Sequence, residues 1–137
     1  RNGYLRAMRR HRLDEHVSLI DGDFTETAVV EAAKALLSAA RLPSAVVCAN
    51  DRSAVGALDM LRRSGVDVPG TVSITGYDDI PEAAHFSPPL TTMRQDFEGL
   101  GRDAMVAVLA HLQDDLSTEH PEPRASPLIL RSSTRAV

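Results

Sequence analysis

Residues 45–51 read Ala-Val-Val-Cys-Ala-Asn-Asp, and residues 72–79 read Val-Ser-Ile-Thr-Gly-Tyr-Asp-Asp. Each is a short run of β-prone side chains that stops at a polar pair. The first run shows no apolar/polar alternation, the pattern of a central strand covered on both faces, which is typical of a parallel sheet. Between the two runs, Val55, Leu58, Met60 and Leu61 fall on a helical repeat, and Gly65 stands where a helix C-terminus favours a residue of positive φ.

The same alternation continues outward. Upstream, the apolar run at 17–20 ends in Asp21-Gly22-Asp23, a strand followed by a turn. Thr25 then suits the N-cap of a helix carrying Ala28, Val29, Ala32, Ala33, Leu36, Leu37 and Ala40 on one side, and Pro43 stops it. Tyr4, Leu5, Ala7 and Met8 among Arg6, Arg9, Arg10 and Arg12 predict an amphipathic helix before that. Downstream, Pro81, Pro88 and Pro89 leave room for only a short helix, and 90–93 is an extended crossing segment. Phe97, Leu100, Ala104, Met105, Val108, Leu109 and Leu112 hold the i, i+3, i+4, i+7 spacing of a long helix. Residues 128–130 form a last strand before a polar tail over 131–137. Helices alternating with short buried strands define an α/β fold, a parallel sheet with helices on both faces and right-handed crossovers.

Composition narrows the function. The chain has 137 residues with a net charge of −4, which does not suit a direct nucleic-acid binder. Cys48 is the only cysteine, so neither an internal disulfide nor a multi-thiolate metal site can form. No apolar run approaches the ~20 residues that span a bilayer. The five histidines, His11, His16, His85, His111 and His120, do not fall at metal-ligand spacing. Asp21 with Asp23, or Asp78 with Asp79, gives only a weak signal for a divalent ion, and no metal or cofactor is expected. Phosphate loops and nucleophile elbows are absent from the sequence.

What the strands do share is their ends. Asp21, Asp23 and Phe24 follow the first, Asn50 and Asp51 the second, and Tyr77, Asp78 and Asp79 the third. Parallel strands deliver their C-termini to one edge, outside which ligands of open α/β sheets bind. A carboxylate, an amide and a phenyl ring suit a small polyhydroxylated molecule. Asp51, directly before a helix, is equally placed to cap it, and Asp79 to cap or pair locally. Asp51 and Asp78 also admit an acid–base pair of a glycoside-acting enzyme, although nothing supplies a tuned nucleophile. A further alternative is a pure interaction module, in which the rim residues are only caps.

Six ordered blocks then carry a resemblance over essentially the whole chain: Gly3-Tyr4; Gly22-Asp23-Phe24; 45–58 with Gly65 to Pro69; 72–79; Pro88-Pro89-Leu90-Thr91-Thr92-Met93-Arg94-Gln95 with Leu100-Gly101; and Leu130-Arg131-Ser132-Ser133-Thr134. The sequence resembles the C-terminal half of a LacI/GalR-family transcriptional regulator. That resemblance implies a two-lobed, periplasmic-binding-protein-like (type I) effector domain, mostly one lobe of it here. Residues 1–94 are then the C-terminal lobe without its first strand, 95–122 a helix packing on the other lobe, and 123–137 the return strand and tail. A DNA-binding headpiece is expected outside this chain. By the same resemblance Phe24, Asn50 and Asp78 contact the effector, with Arg1 and Asp51 as further candidates. Val55, Ile80, His85 and Phe86 lie on a homodimer face. The expected protein is a cytoplasmic repressor, not an enzyme, which senses a sugar or nucleoside and contacts operator DNA through its headpiece. A secreted sugar receptor of the same fold is the alternative within the binding class.

Overall fold

Asn50 lies three residues beyond a strand and caps the helix around which the core is built. The computed structural model describes residues 1–22, 26–112 and 124–136, with residues 26 and 27 by backbone only. Its elements run α1 (Asn2–Arg10), a 3₁₀ turn (Asp14–His16), α2 (Glu26–Ser38), β1 (Ala45–Val47), α3 (Asp51–Arg63), β2 (Ser73–Asp78), a 3₁₀ turn (Pro81–His85), β3 (Thr91–Arg94), α4 (Phe97–Leu112) and β4 (Leu128–Ile129). The sheet order is β1-β2-β3-β4, with the first three strands parallel and β4 antiparallel to β3.

Helix α3 forms because both its ends are chemically closed. Asn50 Oδ1 accepts from Ser53 N at 2.7 Å, satisfying a donor that the helix itself cannot. At the other end Gly65 has φ +75°, Gly65 N donates to Arg62 O, and Val66 N donates to Leu61 O, the paired bonds of a Schellman cap. Ala54, Ala57, Leu58 and Leu61 line the face of α3 that packs with Val72 and Ile74 from β2 and its approach, Ala83 and Leu90. Helix α2 packs on α3, and its Leu36 and Leu37 reach the same cluster.

Asp51, at the first helical position, is fully buried. Its Oδ2 accepts from Ile80 N at 2.9 Å and its Oδ1 from Thr92 Oγ1 at 2.6 Å. One carboxylate thus ties α3 to the segment leaving β2 and to β3. Gly76 makes room for it, since a Cβ there would stand 2.1 Å from Asp51 Oδ1. The helix N-terminus favours a negative charge at this position.

Three expectations change. Residues 17–20 form no strand: apolar side chains do not make one without a ladder partner, and the described sheet offers none. Leu19 and Ile20 lie exposed. The run at 45–49 is not a central strand, because β1 pairs only with β2 among the described residues and Val47 is 62% exposed. The tail from 131 onward is anchored, not loose. Ser133 is buried, its Oγ donating to Ile74 O at 2.6 Å and accepting from Thr91 N at 2.8 Å. Ser133 O also accepts from Ile74 N. This segment therefore bridges β2 and β3 where they do not yet pair directly. The long helix forms where the periodicity predicts it, and its apolar side chains Phe97, Leu100, Met105, Val108, Leu109 and Leu112 are all exposed.

Replacing Asp51 by alanine leaves Ile80 N–H and the Thr92 hydroxyl without their acceptor, each at a cost of about 1–3 kcal/mol. Urea denaturation is expected to show a loss of that order, larger than for Asp59→Ala on the exposed side of the same helix.

Candidate functional site

Register fixes which residues share the sheet's C-terminal edge. Val47 is level with Thr75, and Asp78 is level with Arg94. Asn50 follows Val47 by the same interval as Asp78 follows Thr75, and Gln95 follows Arg94. Asn50, Asp78 and Gln95 therefore leave the sheet together on one rim, as the sequence order predicts for the first two.

Their hydrogen bonds decide what each can offer. Asn50 Oδ1 is occupied by the α3 cap, which leaves the amide NH₂ as its outward capability, a donor. Asp78 Oδ1 accepts from Gln95 Nε2 at 2.8 Å, and its main-chain oxygen accepts from Gln95 N at 3.3 Å. Asp78 Oδ2 accepts nothing from the described residues. Both residues are partly exposed. Among the described residues the rim thus carries one unpaired donor group and one unpaired carboxylate oxygen, the pair that adjacent hydroxyls of a polyol can satisfy. The sequence gives no sign of Gln95's part, because its contact with Asp78 depends on β2–β3 register.

The neighbouring carboxylates face inward. Both oxygens of the fully buried Asp51 are committed to Ile80 and Thr92, so it neither contacts a ligand nor serves in an acid–base pair with Asp78. Helix capping falls to Asn50 and not to Asp51. Asp79, its side chain 5% exposed, receives Arg131 Nη2 at 2.7 Å on Oδ1 and Arg94 Nε at 2.6 Å on Oδ2. Burial raises the Asp79 pKa, but the hydrogen bonds from Arg131 and Arg94 outweigh it and hold the carboxyl below its usual range.

Of the other candidates, Phe24 lies outside the described residues. Arg1 is largely exposed and stands 3.9 Å from the equally open Asp21, a contact of little energetic weight. Val55 and Phe86 line a cleft of about 190 Å³ with Leu58, Asp59, Arg62 and Ser87. Ile80 is partly buried and His85 exposed nearby in sequence, with His85 Nδ1 3.3 Å from Pro81 O. Burial pushes the Cys48 thiol up to about 12, with the Asp51 charge adding to it, which marks a poor nucleophile. Among the described residues no group of three His, Cys, Asp or Glu side chains could hold a metal ion, and no helix is long and apolar enough to cross a membrane.

The lowered Asp79 pKa makes a signed prediction. The unfolded chain binds this proton more readily than the folded one, so the ion pair stabilises the protein above the unfolded carboxylate value of about 4. That contribution is lost as pH falls through the lower folded value. Stability measured by urea denaturation is expected to fall below about pH 4 in the parent, and less steeply in Asp79→Asn, which starts from a lower plateau at neutral pH.

Residues 1–134 match the family model described as a periplasmic binding protein-like domain. The HTH-type transcriptional repressor CytR of Escherichia coli K12 is 38% identical over 136 residues, 98% of this chain and 40% of that protein. The chain superposes on the lac repressor dimer bound to operator and the anti-inducer ONPF with a TM-score of 0.84, at 28% identity, covering 98% of this chain and 46% of that one. A LacI family regulator from Enterococcus faecium with bound ribose gives a TM-score of 0.83 at 25% identity, covering 96% and 49%. The chain thus spans 40% of the CytR relative's length. With its mostly parallel sheet, its polar rim and these likenesses together, the chain belongs to the periplasmic binding protein-like family, as part of the effector-binding domain of a LacI-family regulator.

Proposed function

We propose that this chain is the effector-binding and dimerisation portion of a cytoplasmic transcriptional repressor, and that its effector is a small polyhydroxylated molecule, a sugar or a nucleoside. The observation that carries the reading is the complementary pair on the rim, the Asn50 amide donor and the Asp78 oxygen that no described residue bonds. The ribose bound by the Enterococcus faecium regulator is a ligand of that chemistry. Phe24 would cover an apolar face of such a ligand, and Arg1 would stand at the edge of the mouth.

Residues 1–94 then act as one lobe, 95–122 as a helix seated on a second lobe, and 123–137 as the return strand and tail. The exposed apolar face of α4 supports that seat. A ligand held between lobes shifts their closure by as much as its affinities for the open and closed states differ. Val55, Ile80, His85 and Phe86 would form the homodimer face, where an apolar cleft bordered by Asp59 and Arg62 has the mixed character of an interface core and rim. Operator DNA would be contacted by a headpiece outside this chain, since the −4 charge here opposes direct binding. The dimer would set the spacing of two such headpieces. Bond making plays no part: the acid–base alternative needs Asp51, whose oxygens are both committed.

The test is calorimetric titration of the full-length protein with D-ribose, other pentoses, hexoses and ribonucleosides. A hydrogen bond to a charged group contributes about 1.5–3 kcal/mol, so Asp78→Asn is expected to weaken the ligand that binds by about 10–100-fold. The melting temperature of the unliganded protein should barely move. Saturable binding indifferent to Asp78→Asn, or turnover of a glycoside, would overturn the reading.

A further inference from the structure

Asp78 and Asp79 are consecutive non-glycine residues at positive φ, +117° and +57°. Such backbone is costly for L-residues and persists only where the surroundings over-determine it. Here the constraint comes from the far end of the chain. Arg131 reaches Asp79 Oδ1 with Nη2 at 2.7 Å and Leu90 O with Nη1 at 2.8 Å. Its own backbone is pinned: Arg131 N donates to Thr91 Oγ1 at 3.0 Å, and Thr91 Oγ1 donates to Arg131 O at 3.2 Å. Ser133, buried between Ile74 O and Thr91 N, fixes the segment that carries it. The second cation on Asp79 is less constrained, since the Arg94 side chain is 55% exposed against 16% for Arg131.

We infer that Arg131 is a positioning residue for the effector site: through Asp79 it holds the left-handed turn on which Asp78 presents the oxygen that no described residue bonds. The inference rests on the effector-binding reading above and adds to it the means by which the rim acceptor is fixed. Gln95 grips the Asp78 carboxylate from just beyond β3, and Arg131 grips the residue after it, so the acceptor is held from both sides of the turn. Lysine at 131 keeps the charge but has a single nitrogen, and cannot bond Leu90 O and Asp79 in the same planar fork. The turn then gains freedom, and a ligand must order it again on binding. Only ligands that use Asp78 bear that cost.

The experiment is a double-mutant cycle on the full-length protein, with Arg131→Lys, Asp78→Asn and the combined variant titrated calorimetrically with D-ribose and with adenosine. Arg131→Lys is expected to weaken binding about tenfold in the parent and to have no further effect in the Asp78→Asn background, the signature of action through Asp78. Asp79→Asn removes the same contact from the other side and serves where Arg131→Lys does not fold, with the same coupling expected. A variant that lowers the melting temperature but leaves affinity unchanged would overturn the inference. So would equal weakening in both backgrounds. Binding that depends on Asp78 but ignores both Arg131→Lys and Asp79→Asn would sink this inference and leave the effector reading standing. Failure of the parent protein to bind D-ribose, adenosine or any other pentose, hexose or ribonucleoside would overturn both.

Discussion

The carboxylate of Asp51 ties three segments together by hydrogen bonds at the edge of the core they share. It begins α3, receives the backbone of Ile80 just beyond β2, and receives the hydroxyl of Thr92 in β3. A buried charge is tolerated only with its hydrogen-bonding capacity filled and a favourable field, and the α3 N-terminus supplies that field. The absence of a side chain at Gly76 lets β2 pass close enough for the arrangement to exist. With α3 and the exits of β2 and β3 fixed to one another, the rim they form has a defined shape.

Two adjacent polar pairs divide their tasks in the same way. In Asn50-Asp51 and in Asp78-Asp79 the first residue remains partly exposed at the rim, while the second is turned inward and fully bonded. Neither pair is regular strand backbone: Asn50 is extended while Asp51 already begins α3, and Asp78 and Asp79 both have positive φ. The inward member secures the backbone on which the outward member stands. Asn50 itself has two roles, since capping α3 takes up its oxygen and leaves its amide as a donor.

Apolar surface is distributed unevenly. The cluster of α3, β2, Ala83 and Leu90 is closed, whereas α4 exposes side chains from Phe97 to Leu112 and β1 exposes Val47. Exposed apolar faces of this extent mark contact surfaces. For α4 the proposed second lobe is the natural cover, and for Val55 and Phe86 the proposed dimer.

Local chemistry wrote much of this into the sequence. The helix carrying Leu58 and Leu61, the C-terminal signal of Gly65 and the polar residues after β1 and β2 were legible because they depend on neighbours a few positions away, whereas the buried face of that helix runs through Ala54 and Ala57 and not through Val55. So was the shared rim of Asn50 and Asp78, since parallel strands can end only on one side. Long-range pairing was not legible. Whether 17–20 is a strand depends on a partner, whether Asp51 is a cap or a buried staple depends on where Ile80 and Thr92 arrive, and Arg131 reads as a tail residue until the fold carries it to Asp79. Tertiary structure decided these because hydrogen-bond partners distant in sequence are chosen by register and packing, which no local pattern of side chains encodes.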